Sequence, residues 1–243
     1  MEKTVLTISG DLGSGKSTVS YLLADRLNLR RYSTGDVQRK LAADRGMTSL
    51  EFNRLAETEP DIDRLIDQGT ADLANDHDRL VFDSRLAWHF VPVSTKIYLS
   101  VDPQVAAERV KASQRGSVET YETIEEAVRL LRERRASEVV RFQHYYGIQV
   151  DALRNFDLIV DTTHATPDEV ADILIRHLHD ERQGPMVYAN PKAIAMGSLD
   201  KDPDGPPVLE FVPGEGRYFL RSGGASLAAA LRENTVFLAA SLA

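Results

Sequence analysis

Residues 9–18 read SGDLGSGKST, and no other stretch constrains the chain as much. They fit the pattern G-x-x-x-x-G-K-[ST] through Gly10, Gly15, Lys16 and Ser17. A polyphosphate is held by several donors converging on a concave surface, where side chains would be in the way. Glycines let the backbone N–H groups of Leu12 to Lys16 turn inward, and a helix N-terminus adds favourable partial charge. Lys16 is long enough to reach the β- and γ-phosphates, and the Ser17 hydroxyl suits Mg²⁺. Such a loop needs a strand before it and a helix after it. TVLTIS (Thr4 to Ser9) is a β-branched run ending at a glycine and predicts a buried strand. Val19, Leu22, Leu23 and Leu27 recur at helical spacing, which predicts a helix beginning near Lys16 or Ser17. The loop promises a bound phosphate chain but leaves its acceptor open.

Three further apolar runs read as central strands: RLVFD (Arg79 to Asp83), TKIYLSV (Thr95 to Val101) and FDLIVDT (Phe156 to Thr162). Helical patterns separate them, which predicts a parallel sheet covered on both faces. DEVADILIRHLH (Asp168 to His179) reads as a closing helix, with Thr166-Pro167 and two acids at its start. Two polar excursions, at 35–75 and 109–142, lie between the strands; solvated surface helices are their plain reading. Past residue 181 the chain turns rich in proline and glycine, then gives RYFLRS and TVFLAASLA around an alanine-rich helix. That change predicts a small α+β module over 186–243, joined near Glu181 to Pro185 to a first domain over 1–180.

Composition narrows the partners. The net charge of −8 argues against non-specific nucleic-acid binding through a basic field. With no cysteine there is no disulfide framework, thiolate zinc site or cysteine nucleophile. The opening MEKTVLTISG does not read as a signal peptide, and no apolar run reaches membrane-spanning length, so a cytoplasmic protein is expected.

Several residues outside the loop suit phosphate chemistry. Asp83 ends an apolar run, where an acid serves a Mg²⁺ shell or orients an acceptor, or simply turns the chain. Arg85, two residues on, leaves the sheet beside the loop and is placed to clamp a second anion. In YSTGDVQRK, Ser33 and Thr34 suit a helix cap, and Arg39 is either a surface arginine or the second prong of that clamp. Arg134, Glu138 and Arg141 share a helix face beside an apolar stripe, as salt-bridge partners or as a mobile lid that neutralises charge and excludes water.

Taken together, the chain resembles the cytidylate kinases, especially the compact cytidylate-kinase-like branch, over about residues 4–178. The resemblance rests on TISGDLGSGKSTVSYLLADRL, YSTGDVQRKLAADRGM, EFNRLAETEPDIDR, VFDSRLAW, RERRASEVVRFQHYYGI and FDLIVDTTHATPDEV, in that order. It implies a three-layer P-loop fold around a five-stranded parallel sheet. It also implies a monophosphate-binding excursion over 35–75 and a lid over 109–142. Gly10 and Gly13 to Thr18 (Gly13, Ser14, Gly15, Lys16, Ser17, Thr18) would hold ATP, with Ser17 on Mg²⁺ and Arg109 near the adenine. Arg39 and Arg85 would bind the acceptor monophosphate. Lys16, Asp83, Arg134 and Arg141 would carry the catalysis.

The activity so implied is phosphoryl transfer from MgATP to CMP or dCMP. The competing readings are a small-metabolite kinase on the same fold and a weakly catalytic nucleotide-binding regulator acting through the carboxy-terminal module. Three positions depart from the family pattern: the acid Asp11 in the loop, Ser84 in place of glycine, and Arg135 in place of an acid. The segment GRYFLRSGGASLAAALRENTVFLAASLA resembles the closing strand–helix–strand of ParB-like domains. The histidine-arginine signature of that turn is replaced by Gly223-Gly224-Ala225-Ser226, so an interaction or dimerisation module is expected rather than ParB chemistry.

Overall fold

The computed structural model describes residues 4–47, 51–52, 55, 59, 69–112, 121–178, 184–196, 202–212 and 216–243. Parts of both excursions, including 60–68 and 113–120, lie outside the described residues.

The order begins β1 (Thr4–Gly10), α1 (Lys16–Leu27), β2 (Arg30–Ser33), α2 (Thr34–Asp44), β3 (Arg79–Asp83), α3 (Ala87–Phe90) and β4 (Thr95–Ser100). It continues with α4 (Pro103–Ala112), α5 (Ile124–Tyr146), β5 (Leu158–Asp161) and α6 (Pro167–His177). The last part comprises β6 (Met186–Ala189), β7 (Ala195–Met196), β8 (Val208–Val212), β9 (Arg217–Ser222), α7 (Gly224–Glu233) and β10 (Leu238–Leu242). Local chemistry sets several boundaries. Ser33 caps α2 by accepting from the Asp36 N–H, and Thr123 caps α5 by accepting from the Glu126 N–H. α6 opens on a capping box between Thr166 and Glu169, with Pro167 at its first position.

The strands lie in the order β2-β3-β1-β4-β5-β6-β10-β8-β9-β7. The first six are parallel. Side chains alternate across this sheet and feed two cores. On one face Leu6, Ile8, Val81, Leu99 and Val160 pack against Val19 and Leu23 of α1 and Val170 and Leu174 of α6. On the other, Val5, Leu80 and Phe82 meet Ala87 and Val91, while Tyr98, Ile159 and Val187 meet Trp88, Phe156, Leu227 and Ala230. The result is the three-layer fold expected, with a longer sheet.

The length comes from the carboxy-terminal segment. The sequence sets 186–243 apart as a small module, and its described strands lie in the same sheet as the kinase-like half. β6 pairs in parallel with β5, Leu158 opposite Met186, and β10 then pairs antiparallel with β6. Its strand–helix–strand β9-α7-β10 is present and shares a core with the kinase-like half. Tyr218 on β9 forms a buried 2.8 Å hydrogen bond with Ser100 at the end of β4. The sequence also missed β2, whose RRYS carries two arginines; it pairs with β3 as a four-residue edge.

Candidate active site

In an open parallel sheet, ligands bind beyond the carboxyl ends of the strands, where the strand order reverses. Here that point is β1, with β2 and β3 on one side and β4 and β5 on the other. The register brings the strand ends level: Ser33 and Ile8 both align with Asp83, and Gly10 aligns with Leu99. A cleft of about 710 Å³ opens there. Every residue singled out as a site candidate lines it except Gly10, which lies behind.

The loop is shaped by its glycines. Gly10 adopts φ 138°, and a Cβ there would run into the Leu99 backbone. Gly15 caps α1 at φ 85°, so the first free N–H groups of the helix face the loop. Lys16 Nζ donates to the carbonyls of Gly10 at 2.8 Å and Asp11 at 2.6 Å. Burial, then the nearby Arg85 charge, lowers the Lys16 pKa to about 8.

Ser17 Oγ donates to Asp83 Oδ2 at 2.8 Å, so the helix start and the end of β3 meet. A hydroxyl and a carboxylate side by side are hard oxygen donors, and they fit Mg²⁺, which uses few protein ligands. The same Asp83 oxygen accepts from Arg31 at 2.6 Å. Arg31 also donates to Asp36 at 2.8 Å and to Ser20 Oγ at 2.7 Å, and it lies over the Tyr21 ring. Sequence reasoning passed over Arg31. Its signal was a pair of charges inside a strand, which reads equally as an edge.

The arginines converge from the other side. Arg85 forms an ion pair with the buried Glu138, and Arg134 donates to the same carboxylate oxygen at 3.3 Å. Burial lowers the Arg85 pKa to about 10, offset by Glu138, while Arg134, Arg135 and Arg141 push it further down. Arg141, with 8% of its surface exposed, borders the cleft on the same helix. Arg39 is half exposed and pairs with Asp36, on the far wall. Arg109 borders the opposite end and donates to the Thr162 hydroxyl and carbonyl at 3.1 and 2.7 Å. Helix α5 carries Arg134, Glu138 and Arg141, and is held to α4 through Ala106, Ala107, Ala127 and Leu131.

The departures at Asp11 and Arg135 also have a place. The Asp11 side chain turns away from the cleft: Oδ1 accepts from the Tyr98 hydroxyl at 2.7 Å and Oδ2 from the Val101 N–H at 3.3 Å. Arg135 donates to the same Tyr98 oxygen at 2.9 Å. Burial and the Asp11 charge push the Tyr98 hydroxyl well up, so it stays protonated and donates to the acid. Ser84 Oγ accepts from the N–H groups of Leu86 and Ala87 at 3.4 and 3.3 Å, at the start of α3.

A phosphate loop between a parallel strand and a helix, facing a ring of arginines, defines a P-loop phosphotransferase. The fold matches that of shikimate kinase from Bacteroides thetaiotaomicron, with a TM-score of 0.50 and 14% identity over 72% of this chain and 98% of that one. The sequence matches the cytidylate kinase-like family over residues 5–164. A cytidylate kinase of Methanothermobacter thermautotrophicus is 37% identical over 65% of this chain and 94% of its own length. One from Haloarcula marismortui is 38% identical over 70% and 87%. The chain belongs to the cytidylate kinase-like family and is a nucleoside monophosphate kinase. The segment from 186 onward lies beyond the family match. No helix among the described residues is long and apolar enough to cross a membrane.

Proposed function

We propose that this enzyme transfers the γ-phosphoryl group of MgATP to CMP or dCMP. The observation that carries the reading is a single cleft with two differently built ends: a backbone cradle at Lys16, and arginines 39, 85, 134 and 141 facing it. The choice of cytidylate as acceptor is drawn from the named relatives.

In this reading the N–H groups of Gly13 to Thr18 and the Lys16 ammonium hold the donor phosphates, and Arg109 flanks the adenine. Ser17, with Asp83 beside it, would hold Mg²⁺, and the ion would supply neutralisation of the phosphate charge. Arg39 and Arg85 grip the acceptor monophosphate. Arg134 and Arg141 approach the transferred group from α5 and spread its charge. No covalent intermediate is required, since alignment and neutralisation supply the acceleration.

The test is a coupled assay over all common ribo- and deoxyribonucleoside monophosphates, with shikimate as a non-nucleotide control. CMP and dCMP are expected to give the highest kcat/KM. Turnover no greater than that of Lys16→Met on every monophosphate would sink the proposal.

A further inference from the structure

Asp11 and Arg135 lie 124 residues apart in number, and they meet on one phenolic oxygen. Asp11 is fixed on every polar atom. Its N–H donates to Leu99 O at 2.9 Å, and its carboxylate takes Tyr98 and the Val101 N–H. Its carbonyl accepts from Lys16 Nζ at 2.6 Å and from Ser14 Oγ at 2.8 Å. The residue that aims the loop's ammonium is therefore itself aimed by β4.

Tyr98 has 2% of its surface exposed, and its ring packs against Phe156 at 4.9 Å between centroids. The ring cannot shift to follow Asp11 if a bond is lost. Its hydroxyl gives its one proton to Asp11 and accepts from Arg135. Arg135 adjoins Arg134 on α5, and Arg134 shares Glu138 with Arg85. With the ring fixed, a displacement of α5 that carries the lid arginines stretches or breaks the Arg135–Tyr98 bond, and this changes how strongly the Tyr98 hydroxyl holds Asp11 and the loop.

We infer that Asp11, Tyr98 and Arg135 form a positioning relay that couples the lid helix α5 to the phosphate loop and sets how tightly ATP is held. None of the three lines the cleft. They act through the Asp11 main chain on Lys16, so they are positioning residues. The relay rests on the proposed reading of the loop as the ATP site and of α5 as the lid. A buried charged network of this kind is cooperative, and loss of one link releases the rest.

The experiment measures ATP affinity of the full chain by titration calorimetry for Tyr98→Phe, Arg135→Met and the double variant. Melting temperatures confirm folding, and acceptor KM is measured alongside. Each single substitution is expected to weaken ATP binding about fivefold while leaving acceptor KM within about twofold, and the double variant to be no worse than about twofold beyond the weaker single. A uniform structural loss would move both constants together and the two effects would multiply. ATP affinity within about twofold of the parent in Arg135→Met, or multiplying effects in the double variant, overturns the relay. Should Tyr98→Phe fail to fold, Arg135→Met decides alone, because its side chain is only partly buried on α5. A parent chain that binds ATP but phosphorylates no acceptor overturns the kinase reading and leaves the relay's test standing.

Discussion

The two ends of the cleft are built in opposite ways. The loop end is main chain: glycines at positive φ, a helix N-terminus, and one lysine held by two backbone carbonyls. The arginine end is side chain. Arg85 and Arg134 rest on Glu138, and Arg39 rests on Asp36. A backbone cradle is paid for in folding and needs little rearrangement when phosphate arrives. An arginine resting on a protein carboxylate must exchange that partner for the ligand's phosphate. In the proposed reading the loop end is thus a preset receiver and the arginine end an exchangeable one.

Substitutions can break this contrast. The largest effect is expected at the loop, where Lys16→Met should cut kcat by about a hundredfold or more, read in the coupled assay. A loss confined to ATP KM would mean that Lys16 serves binding alone. Next comes Arg85→Met, expected to raise acceptor KM by about tenfold or more with ATP affinity nearly unchanged. Equal loss at both substrates would erase the division into two ends.

Glu138→Gln should separate holding from binding. Removing a buried carboxylate that serves two arginines is expected to cost about 1–3 kcal/mol of stability, measured by denaturant titration. Acceptor affinity should rise or hold in the same variant, because the exchange partner is weaker. The smallest effect is protonic. The ligand-free Lys16 pKa of about 8 lies below its ordinary 10.5, so ligand-free stability should increase as pH rises from about 8 to 10.5. Phosphate charge favours the ammonium, so ATP binding near pH 8.5 should take up a proton and weaken as pH climbs. Calorimetry in two buffers of different ionisation enthalpy reads the uptake, and Lys16→Met should abolish it.

Most of the kinase-like half could be read from sequence because its signals are local. β1, β3, β4 and β5 are short apolar runs, and the loop motif announces its own strand and helix. β2 escaped because Arg30 and Arg31 break the apolar pattern, and Arg31's work is done across space at Asp83 and Asp36. The link between Asp11 and Arg135 was equally invisible. Each looked like an isolated oddity, and the tyrosine joining them reads as ordinary core in TKIYLSV. The sheet's extension was hidden for a related reason: β6 finds β5 across the whole of α6, and β10 returns from the end of the chain to lie beside β6. Pairing between distant segments leaves no periodicity to read.

That extension changes what the sheet offers to other molecules. Without residues 186–243, β5 would be an open border of unpaired N–H and C=O groups, a ready template for another strand. Here β6 occupies it, and among the described residues the sheet instead ends at β7 and, on the other flank, at the arginine-bearing β2. Among the described residues β7 covers only Phe219 and Leu220 of the β9 border, and β2 brings Arg30 and Arg31 to the other. The described part of 186–243 thus moves the sheet's border from β5 out to β7 and β9.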